Sequence, residues 1–169
     1  MMCGAVWDMP RIEKVVTIQV PIEDAFALSQ SQGEVRYAWD PFVREQRLLD
    51  GALHPGKGVR TFTRSRHNLT MVTEYTSYKP PAQVGMKLVK GPPFFSTFGG
   101  GWSFIKIDES TTQATWRYTF TVKPKILAGP GERIGIYVLG RDIEQRIEHF
   151  AKGCTDPGLV ERAKAQLGP

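Results

Sequence analysis

Histidine and cysteine are scarce in this chain, at three and two of its 169 residues. His54, His67 and His149 fall in a loop, a turn and the terminal helical stretch, without the spacing that a metal site needs. No metal and no cofactor is expected. Cys3 and Cys154 stand at opposite ends, neither in a nucleophile context, and there is no Gly-x-Ser-x-Gly elbow. Covalent catalysis therefore finds no support, no catalytic residue is nominated, and the thiols read as free. No apolar run is long enough to span a bilayer. The opening MMCGAVWDMP lacks the basic segment and apolar core of an export signal, which predicts a cytoplasmic protein without integral membrane association. There is no repeat and no linker, so one domain over 1–169 is expected, with its core at about 11–152.

Charge of one sign is lacking too. The chain carries 22 Lys and Arg against 17 Asp and Glu, a net +5. The basic residues are dispersed, and the densest group, Arg60, Arg64 and Arg66, is laced into a strand pattern. Dispersed charge reads as solubility rather than as a nucleic-acid footprint, so nucleic acid is not an expected partner.

What the chain does have is ordered periodicity. In RIEKVVTIQV, Ile12, Val16, Ile18 and Val20 share one face at a two-residue period, predicting a strand. Pro21 ends it and suits the start of a short helix, PIEDAFALSQ. A second short helical piece over 32–38 stops at WDPF, because a residue before proline avoids the helical region. Six strand-like segments follow, at 44–49, 59–66, 69–78, 84–89, 101–107 and 114–122, separated by turn residues, which predicts an antiparallel meander. In the last segment Ala114, Trp116, Tyr118, Phe120 and Val122 alternate with polar residues. Over 132–152, Ile136, Leu139, Ile143, Ile147 and Phe150 recur at helical steps, predicting an amphipathic helix about 30 Å long. A short helix follows at about 157–167, with Asp156 as its cap. The class is α+β, and one helix laid on a curved sheet leaves a cavity between them.

The order of these elements and several local sequences resemble the SRPBCC superfamily, with its START-like helix-grip fold and polyketide cyclase/dehydrase-like members. The resemblance rests on IEKVVTIQVPIEDAFAL, YAWDPFV, KGVRTFT, GGGWSFIKID followed by ATWRYTFTV, and the long terminal helix. It implies a curved antiparallel sheet wrapped around the C-terminal helix, with two short helices after the first strand. It also implies a cavity for a lipid, quinone or polyketide-like molecule.

A binding or carrier protein for a small hydrophobic or amphipathic ligand is the first expectation. A cyclase or dehydratase using the same cavity is the second, and a basic surface module for nucleic acid or anionic lipid the third. If the turn after the second meander strand is His67-Asn68, then Arg60, Phe62 and Arg64 share the cavity face with Met71, Thr73 and Tyr75, and Arg60, Arg64 and Tyr75 meet a polar head group. A register shifted by one turns the arginines outward and Glu74 inward. Trp116, Tyr118 and Phe120 are expected on one cavity wall, Leu139 and Ile143 on the other, and Trp39 near one end.

The hairpin ending at Val122 is open to two readings: one puts Ile105 and Ile107 inside, the other Trp102 and Phe104. KGPPFFSTFGGGW reads as a rim loop between strands. Phe94, Phe95 and Phe98 then cover an apolar mouth or form a homodimer contact, and Gly99–Gly101 let the loop move or bulge.

Overall fold

In the computed structural model, which describes residues 9–124, 126 and 128–167, β1 (Arg11–Ile18) leads into α1 (Ile22–Ser29) and α2 (Gly33–Trp39). There follow β2 (Val43–Leu48), β3 (Arg60–Ser65), β4 (Thr70–Lys79), β5 (Gln83–Lys90), β6 (Phe95–Asp108) and β7 (Thr111–Val122). The long helix α3 (Ala128–Cys154) and the short α4 (Pro157–Gln166) complete the chain. All strands form one seven-stranded antiparallel sheet in the order β1-β7-β6-β5-β4-β3-β2. The sheet is curled and grips α3, which is the helix-grip fold.

Local chemistry explains the joints. Pro21 cannot continue β1, and its carbonyl accepts from Asp24 N and Ala25 N to start α1. Asp156 caps α4 by accepting from Leu159 N at 3.1 Å, with Pro157 at the first helical position. The β3–β4 connection is a three-residue loop, because Ser65 N donates to Leu69 O and Asn68 adopts a left-handed φ of 61°. That extra residue sets the pairing Arg60↔Glu74, Phe62↔Val72 and Arg64↔Thr70.

The glycine-rich stretch is not a loop. Gly99, Gly100 and Gly101 lie within β6, paired with Lys87, Met86 and Gly85 on one side and with Thr119, Tyr118 and Arg117 on the other. A Cβ on Gly100 would strike the Arg117 carbonyl, and one on Gly101 the Val84 carbonyl. The glycines therefore let neighbouring strands close in where the sheet bends. They are held on both sides, so the expected loosening role is replaced by one in curvature. Only 91–94 remain as the connection from β5 to β6.

In the β6–β7 hairpin, Asp108 pairs with Thr111 across a two-residue turn, but the register shifts between Lys106 and Asp108. This bulge turns Trp102 and Phe104 inward, at 5% and 4% exposure, and leaves Ile105 and Ile107 at 58% and 54%.

The core is concentrated at one end of α3. Its C-terminal half buries Ile143, Ile147, Phe150 and Cys154. There Trp102 stacks on Trp116 at 4.2 Å between ring centroids, and Phe150 lies 4.6 Å from Trp102 and 5.4 Å from Trp39. Each such ring contributes roughly 1.5–3 kcal/mol by burial. The N-terminal half of the same helix leaves Ile134, Ile136, Tyr137 and Val138 exposed. Filling is complete at one end and partial at the other, where Leu139, Phe95, Phe98 and Val122 are only partly buried.

Candidate functional site

The partly filled end holds a cavity of about 810 Å³, within the usual ~300–1,000 Å³ of small-molecule sites. Met86, Phe95, Phe98 and Val122 line it from the sheet, facing Ile134, Val138 and Leu139 of α3. Farther along α3 the lining becomes polar, with Asp142, Gln145 and Arg146, joined by Gln30, Arg36 and Tyr75. From Gly131 to Arg146 the helix advances about 22 Å, so the apolar and polar parts of the cavity are separated along its length. Leu69, Phe94, Ile134, Tyr137 and Val138 line the cavity while remaining exposed, and they rim its opening.

The polar end is an ion network. Asp40, wholly buried at the end of α2, accepts from Arg146 Nε at 3.0 Å and Arg146 Nη2 at 2.7 Å. It also accepts from the amide of Phe42 at 3.1 Å, and Arg36 Nη2 is 2.7 Å from its Oδ2. Arg36 Nη1 donates to the Ser29 carbonyl at 2.8 Å, and Arg146 Nη1 donates to the Tyr118 hydroxyl at 2.5 Å. The guanidiniums lie on aromatic faces, Arg36 4.2 Å from the Trp39 ring and Arg146 4.4 Å from Trp116.

Burial alone would raise the Asp40 carboxyl, but Arg146 and Arg36 outweigh it and hold its pKa below the ordinary value. Burial draws Arg36 down, against the pull of its one close carboxylate oxygen and with the repulsion of Arg146. In Arg146, gripped by both oxygens, burial is the largest single influence, but Asp40, Tyr118 and Asp142 together outweigh it and the pKa rises. Burial also raises the phenols of Tyr118 and of Tyr75, whose hydroxyl donates to Gln30 Oε1 at 3.2 Å. Asp142 lies 3.6 Å from Arg146 Nη1, and burial pushes its carboxyl above the ordinary value.

Among the expected site residues, Tyr75, Phe98, Trp116, Tyr118 and Leu139 line the cavity. Trp39, Phe120 and Ile143 do not, since they are packed into the solid core at 2%, 0% and 0% exposure. Arg60, Phe62 and Arg64 point away altogether. The three-residue loop ending at Asn68 moves the pairing by one, so Thr61, Thr63 and Ser65 are the buried residues of β3. On the outer face Arg60 meets Glu74 at 3.3 Å and Arg64 meets Glu45 at 3.5 Å, so Glu74 is outside as well. Phe62 lies beneath the guanidiniums of Arg47 and Arg64.

Arg36, Asp40, Asp142 and Arg146 are the polar residues that the sequence reading did not single out. Their signal was spacing. Arg36 lies in α2 and Asp40, four residues on, ends it, while Arg146 stands three after Ile143 and four before Phe150, on the buried stripe.

Among the described residues no cluster of three His, Cys, Asp or Glu could hold a metal, and no helix is long and apolar enough to cross a membrane. Cys154 is a free, buried thiol pushed up to about 12 by burial, and Cys3 lies outside the described residues.

A curled sheet gripping one long helix over an internal cavity defines a START-like protein of the SRPBCC superfamily. The chain belongs to the family described as polyketide cyclase / dehydrase and lipid transport, matching it over residues 9–154. Among solved structures it is similar to the Zhui aromatase/cyclase from Streptomyces sp. R1128, with 16% identity, a TM-score of 0.70, and 92% of this chain and 95% of that one covered. A START superfamily protein from Mycobacterium smegmatis matches at 18% identity and a TM-score of 0.62, covering 90% and 97%. The XoxI protein of Bacillus cereus matches at 11% identity and a TM-score of 0.70, covering 88% and 97%. At these identities the likeness is one of fold. No curated protein matches the sequence.

Proposed function

We propose that this chain is a binding or carrier protein that holds one small amphipathic molecule in the cavity between α3 and the sheet. The observation that carries this reading is the division of a cavity of about 810 Å³ into an apolar part beneath an exposed apolar rim and a polar end. An aliphatic or fused-ring body gains by leaving water for the first part, and its polar end meets hydrogen-bonding groups in the second. The test is native mass spectrometry of the purified protein, followed by organic extraction and titration with the fluorescent apolar probe N-phenyl-1-naphthylamine. Stoichiometric binding is expected. A protein that carries no small molecule and leaves the probe dark does not have this function.

A second reading, a cyclase or dehydratase, is favoured by one specific observation. Asp142 lines the cavity with its carboxyl raised by burial, beside Arg146, whose Nη1 also reaches the Tyr118 hydroxyl. A carboxyl whose pKa burial raises, set beside a cation, is suited to moving protons at a carbonyl-bearing substrate. Turnover of a poly-β-ketone analogue that is lost in Asp142→Asn is the outcome this reading requires.

A further inference from the structure

We infer that the polar end of the cavity is an oxyanion site, built by Arg36 and Arg146 for the head group of the bound amphiphile. This rests on the cavity reading above and specifies its ligand as an anion. The first support is how few carboxylates answer the two buried guanidiniums. Arg36 and Arg146 both line the cavity, and among the described residues Asp142 is the one carboxylate that does. Asp142 stands 3.6 Å from Arg146 Nη1, beyond hydrogen-bond reach, and Arg36 is paired only with the Asp40 that Arg146 already grips.

The second support is how Asp40 is used. Its two oxygens already take Arg146 Nε, Arg146 Nη2, Arg36 Nη2 and the Phe42 amide. Arg146 alone would satisfy the carboxylate with a bidentate pair, so Arg36 adds a second buried cation that Asp40 cannot neutralise. The third support is a free donor. Arg36 is buried to 7% exposure and lines the cavity, and its Nε has no hydrogen-bond partner among the described residues. A buried guanidinium donor without an acceptor is costly, and because Nε is closed off from solvent, a ligand oxygen must displace the side chains over it to remove that cost. Asp142 opposes an anion, but it stands 3.6 Å from Arg146 Nη1 and its carboxyl is pushed toward the neutral form by burial.

The experiment displaces N-phenyl-1-naphthylamine from the full chain with three ligands of equal chain length: dodecanoate, dodecyl phosphate and dodecan-1-ol. At least one anion is expected to displace the probe at a concentration about tenfold or more below that of the alcohol. Whichever anion leads identifies the head group as carboxylate or phosphate. In Arg36→Gln the anion-to-alcohol ratio should fall to within about threefold. As a readout independent of any variant, the 13C-labelled carboxyl of bound dodecanoate should titrate below the ~4.3 of an ordinary side-chain carboxyl. Equal displacement by acid, phosphate and alcohol overturns the oxyanion site and leaves the cavity reading standing. Where dodecanoate is the anion that leads, so does a bound carboxyl that titrates at or above the free value. A ratio unchanged in Arg36→Gln removes Arg36 from the site. A probe that never binds overturns the cavity reading and this inference together.

Discussion

Arg36 on α2 and Arg146 on α3 each place Nη2 at 2.7 Å from one oxygen, Oδ2 of Asp40, which is wholly buried. The carboxylate ties the short helices to the long one while two cations meet at the polar end of the cavity. Removing its charge leaves Arg36 buried without a carboxylate and Arg146 with only Asp142, 3.6 Å from its Nη1, so Asp40→Asn should cost about 3–5 kcal/mol of folding stability. Urea unfolding of the variant measures this, and a loss below about 1 kcal/mol would contradict the pairing. Because the folded Asp40 titrates below its unfolded value, its contribution is complete above the unfolded pKa near 3.9 and disappears as pH falls through the folded one.

Asp142 behaves in the opposite sense. Burial raises its folded carboxyl pKa, with Asp40 adding to the rise and Arg146 and His67 opposing it. The native state therefore holds this proton more tightly than the unfolded chain, and the group's favourable contribution is present at low pH and lost as pH rises through the folded value. Asp142→Asn, which cannot ionise, should melt higher than the parent at pH 7, and the gap should close toward pH 4. A variant that melts lower at pH 7 would show that the Arg146 contact, at 3.6 Å, outweighs burial.

The arginines of β3 offer a control on the geometry of the site. Arg60 and Arg64 pair with Glu74 and Glu45 across the solvent-facing side of the sheet. Arg60→Ala and Arg64→Ala should each leave probe binding in the cavity unchanged and move the melting temperature by less than about 3 °C, as exposed ion pairs do. A tenfold loss of probe affinity in either would mean that β3 turns its other face inward.

The inward face of β7 was legible because alternation between neighbours in sequence is a local property, and Trp116 and Tyr118 follow it without a break. Register was not, because it depends on single residues that add one position. Asn68 in the left-handed region turns Arg60, Phe62 and Arg64 outward, and the bulge before Asp108 turns Trp102 and Phe104 inward. Neither leaves a compositional trace. The glycine stretch looked like a loop because strands avoid glycine, and its reason, carbonyls of Arg117 and Val84 at the Cβ positions, exists only once three strands are assembled. The ion network joins residues 106 positions apart, so spacing showed Arg146 on a buried stripe without showing what it meets there. The solid half of α3 followed from periodicity. Its open half did not, since Ile134, Tyr137 and Val138 are apolar residues that line a mouth instead of a core.

Gly135 sets how closely the open half of α3 approaches the sheet. A Cβ there would stand 2.6 Å from Cε2 and 2.9 Å from Cζ of Phe120. Phe120 is wholly buried, so moving its ring disturbs the core around it. Two effects oppose each other in Gly135→Ala. The helix gains up to ~1 kcal/mol of intrinsic propensity when glycine is replaced by alanine. Against this, forcing a methyl group into a filled contact costs roughly 1–3 kcal/mol. The overlap decides the sign, because relieving 2.6 Å to an ordinary contact requires the helix or the buried Phe120 ring to give way by about 1 Å. Gly135→Ala should therefore melt below the parent in spite of its better helix propensity, and it should weaken binding of N-phenyl-1-naphthylamine, since Gly135 also lines the cavity. A variant that melts higher and binds the probe as the parent does would mean that α3 does not rest on Phe120, and that the cavity wall is not held by this contact.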